Sequence, residues 1–172
     1  MKKLFSLLMI AVLGFFVISC TTDDSRDNNY QDNDTYPIVV DVNASFQNVN
    51  GTYTISRTFN SPIPATDVIL VYRKSGMDGS NTIWQQIPRT MFLNEGELDY
   101  DFDFTRADVA IYAGGDIDIA AQNATFMSNY INNQTFRVVF VPASTGKAAV
   151  DYSDYNAVIK FYGIDDSKVS KL

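Results

Sequence analysis

Alternating apolar and polar residues predict short β-strands along most of the chain after Pro37. Residues 40–46 and 53–59 alternate in this way, and Asn50-Gly51 between them is a strong hairpin signal because both residues tolerate a positive φ. We therefore expect the first two strands to form a hairpin. The continuous apolar run over residues 67–73 is typical of a central strand that is covered on both faces.

Further strands follow, separated by turn residues. The pattern predicts them at residues 82–87, 90–93, 97–104, 109–112, 117–121 and 135–141, with a loop over 75–81 and a hairpin turn at Gly114-Gly115. Residues 122–133 are polar with a few apolar anchors, which predicts one helical turn or a loop. Residues 153–162 fit either a helix or a strand. If they form a helix, Asp151 or Ser153 would cap it and Gly163 would end it.

About eight or nine short strands, with turns every 8–12 residues, predict an all-β fold. We expect an antiparallel β-sandwich, immunoglobulin-like or related, with a short C-terminal helix if residues 153–162 are helical. We assign this domain to residues 36–164 and expect residues 165–172 to be a tail.

The N-terminus has the features of a lipoprotein signal peptide. Two lysines precede an apolar run over residues 4–17, which is too short for a membrane span but suits a signal peptide. The following Val17-Ile18-Ser19-Cys20 resembles the bacterial lipobox. The resemblance implies that residues 1–19 are removed and that Cys20 carries fatty acyl chains such as palmitate. The membrane is then the first expected partner.

Residues 20–35 hold the lipidated cysteine and an acidic segment with almost nothing to bury, which predicts a disordered tether. Asp23-Asp24 resembles the acidic export signal of surface lipoproteins in Bacteroidota, although a simple solvated spacer fits as well. We expect an outer-membrane lipoprotein that is either exposed on the surface or faces the periplasm.

Composition removes several classes of function. The chain of 172 residues contains no His and one Cys, so His-ligated metal sites, His-dependent triads and disulfides are excluded. A net charge of −7 argues against nucleic acid as a partner. No glycine motif for a dinucleotide is present. We therefore expect a protein that is not an enzyme and needs no cofactor.

Two groups of residues are candidates for a binding site. The first is an acidic row, which alternation places about 7 Å apart on one strand face; it favours a solvated face, a calcium site or, least, a catalytic carboxylate pair. Two further carboxylates on the next predicted hairpin would complete a calcium site. The second candidate is the only tryptophan, which would bind a sugar or peptide or else belong to the core. The residues are Glu97, Asp99, Asp101, Asp103, Asp116, Asp118 and Trp84.

Several segments resemble a group of small uncharacterised lipoproteins of Bacteroidota. They are Asp67-Val-Ile-Leu-Val-Tyr-Arg, Gly96-Glu-Leu-Asp-Tyr-Asp-Phe-Asp-Phe-Thr, Asn133-Gln-Thr-Phe-Arg-Val-Val and Asp151-Tyr-Ser-Asp-Tyr-Asn-Ala-Val-Ile. Some members have a collagen-like stretch after the cysteine, where this chain has its acidic tether. The resemblance implies no activity. Some members carry a dihydrolipoamide dehydrogenase label, but this chain lacks the cysteine pair and the glycine motif of that chemistry.

The sequence thus predicts a lipid-anchored envelope protein with a non-catalytic binding or structural role, toward a glycan or another envelope protein. Two alternatives stay open. One is a calcium-stabilised or carboxylate-dependent hydrolase, which requires two of the carboxylates to converge in a concave site. The other is a periplasm-facing lipoprotein that serves envelope assembly.

Overall fold

The structure is a computed structural model that describes residues 39–142, 150–167 and 169–172. The predicted signal peptide (1–19), Cys20 and the predicted tether (20–35) lie outside the described residues, so those expectations stay predictions. The described strands are β1 (Val39–Ala44), β2 (Gln47–Val49), β3 (Thr52–Thr58), β4 (Val68–Asp78), β5 (Asn81–Ile87), β6 (Arg89–Leu93), β7 (Gly96–Phe104), β8 (Asp108–Gly115), β9 (Gln134–Val141) and β10 (Ser170–Lys171). The helices are α1 (Ala124–Phe126) and α2 (Tyr155–Tyr162).

The strands form two five-stranded sheets that pack as a sandwich. Sheet 1 has the order β10-β1-β9-β4-β5, and sheet 2 has the order β2-β3-β8-β7-β6. Every pairing is antiparallel except that of β10 with β1. The predicted all-β sandwich is confirmed. The described residues contain ten strands rather than eight or nine, because β2 and β10 are too short to show alternation.

On each side of the sandwich, the chain passes from one sheet to the other. β1 ends at Ala44 in sheet 1, and β2 begins at Gln47 in sheet 2; β5 and β6 make the same change around Pro88. The predicted first hairpin is therefore wrong in its first strand. Asn50-Gly51 forms the turn with positive φ at both residues, but it joins β2 to β3. Phe46 lies between these two strands, and its side chain is buried in the core with 4% exposure.

The core lies between the two sheets and consists of the inward faces of their strands. The strand pattern predicted for β7 is confirmed, since Leu98 and Tyr100 are buried while the alternating acidic side chains lie on the other face. Phe46, Tyr100 and Phe136 pack with ring centroids 5.8–5.9 Å apart and join the sheets near one end. The central position predicted for residues 67–73 is also confirmed, because β4 lies between β9 and β5.

Two predicted segments are wrong. The loop over residues 75–81 is shorter than predicted, because β4 and β5 pair as far as Asp78 and Asn81 across an irregularity between Lys74 and Gly76. The strand at 117–121, and with it the second hairpin, is replaced by a 3₁₀ turn over Ile119–Ala121. There the Asp118 side chain accepts hydrogen bonds from two backbone N–H groups, which favours a turn over a strand.

The segment over 122–133 forms α1 followed by a π turn over Met127–Ile131, so the expected helical turn is confirmed. Phe126 and Ile131 are buried and hold this segment against one end of the core. Asn123 caps α1 by accepting a hydrogen bond from the Phe126 N–H at 2.9 Å.

Helix α2 packs on the outer face of sheet 1, so residues 155–162 are helical and the strand alternative is wrong. Asp154 caps this helix, rather than Asp151 or Ser153, and Gly163 ends it in the left-handed conformation. Tyr155 and Val158 are buried against side chains of β1, β4 and β9. The residues after the helix are not a free tail, because β10 pairs with Val40 and Asp41 of β1.

Candidate functional site

The predicted acidic row lies on the outer face of sheet 2. Its three aspartates each accept a hydrogen bond from a nearby group. Asp99 accepts one from the Thr90 hydroxyl, and Asp101 accepts one from a backbone N–H. Asp103 accepts one from the Tyr112 hydroxyl at 2.9 Å, and this hydrogen bond raises the pKa of Tyr112 above its ordinary value. The row is therefore an extended, hydrogen-bonded sheet face.

The other two candidate carboxylates stabilise turns. Asp116 accepts a hydrogen bond from the Glu97 N–H at 2.6 Å, and Asp118 caps the 3₁₀ turn. Among the described residues, no three Asp, Glu or Cys side chains are placed so that they could hold a metal ion. This geometry does not fit a calcium centre. Neither of the two concave surfaces described below is lined by these carboxylates.

Trp84, the other candidate, lies on the outer face of sheet 1 and is partly buried. Its ring lies 4.3 Å from the Arg137 guanidinium carbon and 5.7 Å from the Tyr155 ring. Arg137 and Tyr155 thus cover part of the indole surface on which a sugar ring would stack. The geometry therefore gives Trp84 a packing contact beneath α2.

Arg137 is the centre of a polar cluster under α2. Its guanidinium donates two hydrogen bonds to the Asp41 carboxylate, at 2.7 and 3.0 Å, and one to the Tyr155 hydroxyl at 2.6 Å. Tyr155 in turn donates to Asp166 at 2.9 Å. Burial lowers the pKa of Arg137, but the hydrogen bonds with Asp41 and Tyr155 outweigh it and raise the pKa. Burial also raises the pKa of Tyr155 well above its ordinary value. The cluster fastens the helix and the chain after it to sheet 1.

Arg73 is a second buried arginine, on the inner face of sheet 1. It donates to the Gln134 side chain and to the Asn129 carbonyl, and its guanidinium carbon lies 4.8 Å from the Tyr100 ring. No ion pair to Arg73 is present among the described residues. Neutral acceptors and aromatic faces therefore compensate this charge, which links the two sheets at one end of the core.

At the other end of the sandwich lies an apolar concavity of about 390 Å³, which we call the end groove. Phe59, Ile63, Phe140 and Leu172 form much of its wall, and the two phenylalanine rings meet edge to face with centroids 5.0 Å apart. Val40 of β1 and the residues of β10 form the sheet 1 side. Polar side chains line it as well: Asn60, Ser61, Asp67, Ser170 and Lys171.

A second, shallower concavity of about 530 Å³ lies along the side of the sandwich, and we call it the side hollow. It is lined by the end of β1, by β2 and by residues 54–57 of β3, including Ile55 and Arg57. Arg57 donates a hydrogen bond to the Ser56 carbonyl at 2.8 Å and forms no ion pair with any described residue. The side hollow is thus lined by residues of β3, and the end groove begins at Phe59, directly after this strand.

The residues that line these surfaces were not singled out in the sequence. In the sequence, the feature that marks them is an arginine among apolar residues. Arg57 alternates with Ile55 and Phe59, Arg73 ends the apolar run of β4, and Arg137 interrupts that of β9. Such a charge must find a partner or an opening to solvent.

The chain matches no known protein family, no curated protein and no solved structure. None of the helices in the described ranges is long and apolar enough to cross a membrane.

Proposed function

We propose that this protein is a lipid-anchored lipoprotein of the bacterial outer membrane whose β-sandwich binds a protein partner without catalysis. The observation that carries the binding role is the end groove. An apolar concavity of about 390 Å³ with a few polar groups along its wall is the common form of a binding site. The sequence supports the anchor, because Cys20 is the only cysteine and ends a motif that resembles the lipobox.

A protein partner is favoured over a glycan. Trp84, the aromatic residue predicted for sugar binding, packs against Arg137 and Tyr155. The end groove is lined by phenylalanine, proline and aliphatic side chains, which suit apolar side chains better than hydroxyl groups. The carboxylates that a hydrolase would need are engaged in hydrogen bonds on an open sheet face and in turns. The hydrolase alternative consequently gains no support from the geometry.

The anchor is tested by expressing the full chain in a Bacteroidota host and fractionating the cells. We expect the wild-type protein in the washed membrane fraction and the Cys20→Ala variant outside it, because the acyl chains supply the membrane affinity. Thr21→Ala is the matched control and stays with the membranes. Membrane retention of Cys20→Ala would contradict lipid anchoring.

The side of the membrane is tested by proteinase K digestion of intact cells, with a periplasmic protein as control. We propose display on the cell surface, as the acidic residues after Cys20 favour, and we expect the domain to be lost while the control survives. Survival of the domain until the outer membrane is opened would favour the periplasm-facing assembly role instead.

A further inference from the structure

Within residues 39–142, 150–167 and 169–172, sheet 2 has a strand edge that no other strand covers and that adjoins both concave surfaces. β2 pairs only with residues Thr52, Tyr53 and Thr54 of the seven-residue strand β3. From Ile55 to Thr58, β3 pairs with β8 on one side, and no described strand pairs with it on the other. An uncovered strand edge offers backbone donors and acceptors to an incoming strand.

The two concave surfaces lie beside this edge, where an incoming strand would be placed. Ile55 and Arg57 occupy alternate positions on β3 and line the side hollow, and Phe59, directly after the strand, continues this alternation and lines the end groove. At 3.3–3.4 Å per residue, Ile55 and Phe59 are about 13 Å apart along the strand. Positions 55, 57 and 59 thus follow the alternate-residue repeat by which strand addition reads side chains.

The charge along this edge defines the chemistry of the partner. Arg57 is partly buried between two apolar positions, and the one hydrogen bond that its guanidinium forms with a described residue goes to the Ser56 carbonyl, at 2.8 Å. A carboxylate on the incoming strand, directly opposite Arg57, would supply the missing counter-charge. Without a partner, the charge of Arg57 disfavours unspecific pairing of this edge with other strands, as charged side chains on edge strands commonly do.

We propose that β3 binds an extended segment of a partner protein by strand addition, antiparallel to β3 and continuing the line of β2. The segment carries an acidic residue opposite Arg57, an apolar residue two positions before it that enters the end groove, and a smaller apolar residue two positions after it beside Ile55. This inference names the partner class for the proposed binding role and rests on that role, but it does not depend on the lipid anchor.

The probe is a fluorescently labelled peptide, Lys-Leu-Thr-Glu-Thr-Val-Lys, titrated into the purified full-length protein in detergent. We expect saturable binding, and we expect the peptide to slow hydrogen exchange in residues 55–59 but not in the opposite edge strand, β6. Replacing the peptide's Glu by Lys should weaken binding about tenfold. N-methylation of its backbone amides should abolish binding, because it removes the donors that pair with a strand edge.

Charge reversal gives the sharper test. Arg57→Glu should lose affinity for the Glu peptide by about tenfold and gain it for the Lys peptide, whereas the control Arg89→Glu on β6 should behave like the wild type. Circular dichroism of both variants checks that they are folded. The proposal is overturned if the wild type shows no saturable binding, if the N-methylated peptide binds equally well, or if Arg57→Glu leaves the preference unchanged. Protection of β3 by a second copy of the chain would also overturn it. These outcomes leave the fractionation of Cys20→Ala unaffected, so the anchor and the strand-addition site can fail separately.

Discussion

The bidentate pair between Arg137 and Asp41 should be a major support of the sandwich, and Asp41→Asn tests this. The substitution keeps the size of the side chain but removes the carboxylate that accepts hydrogen bonds at 2.7 and 3.0 Å. The side chains of Arg137 and Asp41 are only 11% and 20% exposed. Removing one partner of a fully buried pair costs about 3–5 kcal/mol, because the remaining charge stays buried.

We expect a loss somewhat below that range. Asp41 retains some contact with water, and Asp166 remains 3.5 Å from the Arg137 guanidinium. We therefore expect Asp41→Asn to lower the free energy of unfolding by about 2–3 kcal/mol, a large part of the 5–15 kcal/mol that is typical of a domain. Adding Arg137→Met to Asp41→Asn should cost less than the sum of the two single changes, since the double variant leaves no buried arginine without its carboxylate partner.

Urea unfolding followed by tryptophan emission is the suitable assay. Trp84 is the only tryptophan in the chain, and its ring lies 4.3 Å from the Arg137 guanidinium carbon. Asp78→Asn, at an exposed hairpin tip, is the control and should change stability by no more than about 0.5 kcal/mol. A loss for Asp41→Asn as small as that of the control, or full additivity in the double variant, would refute the reasoning.

Two further predictions concern stability. A Cβ on Gly115, whose φ is +118°, would lie 2.2 Å from the Glu97 carbonyl oxygen, so Gly115→Ala should lower the free energy of unfolding by more than about 2 kcal/mol. Gly79→Ala is the control and should cost less, because the space around Gly79 is open. Equal losses in urea unfolding would contradict this prediction. Burial raises the pKa of three phenols, so near and above pH 10 the unfolded chain loses protons that the folded chain keeps, and stability should fall with rising pH with a slope that approaches about 1.4 kcal/mol per pH unit for each such phenol. Urea midpoints that stay constant between pH 9.5 and 11 would contradict the second prediction; the phenols are Tyr72, Tyr100 and Tyr155.

Local pattern predicted the strands well because alternation is a property of neighbouring residues. The segment 97–104, with its acidic and apolar faces, forms β7. The apolar run at 67–73 lies in β4, between two other strands of sheet 1. Strand partners were harder, since pairing depends on distant residues. The chain passes from sheet 1 to sheet 2 at residues 45–46, and nothing in the alternation of residues 40–46 marks that change.

The candidate site was less accessible to sequence reasoning for the same physical reason. Arg137 and Asp41 are 96 positions apart, and Arg73 and Gln134 are 61 positions apart, so the sequence cannot say which arginine has a carboxylate partner. The carboxylates that attracted attention in the sequence are hydrogen-bonded locally in the fold. The uncovered edge at Arg57 arises because β2 ends its pairing at Thr54, which only the sheet topology reveals.

The central claim is that the chain is a lipoprotein anchored through Cys20. Mass spectrometry of the N-terminal peptide, taken from the protein extracted from membranes, tests it most directly. The account predicts that the mature chain begins at Cys20 and that this residue carries the mass of its acyl groups. A mature chain that begins at another residue, or that carries an unmodified Cys20, would contradict the account.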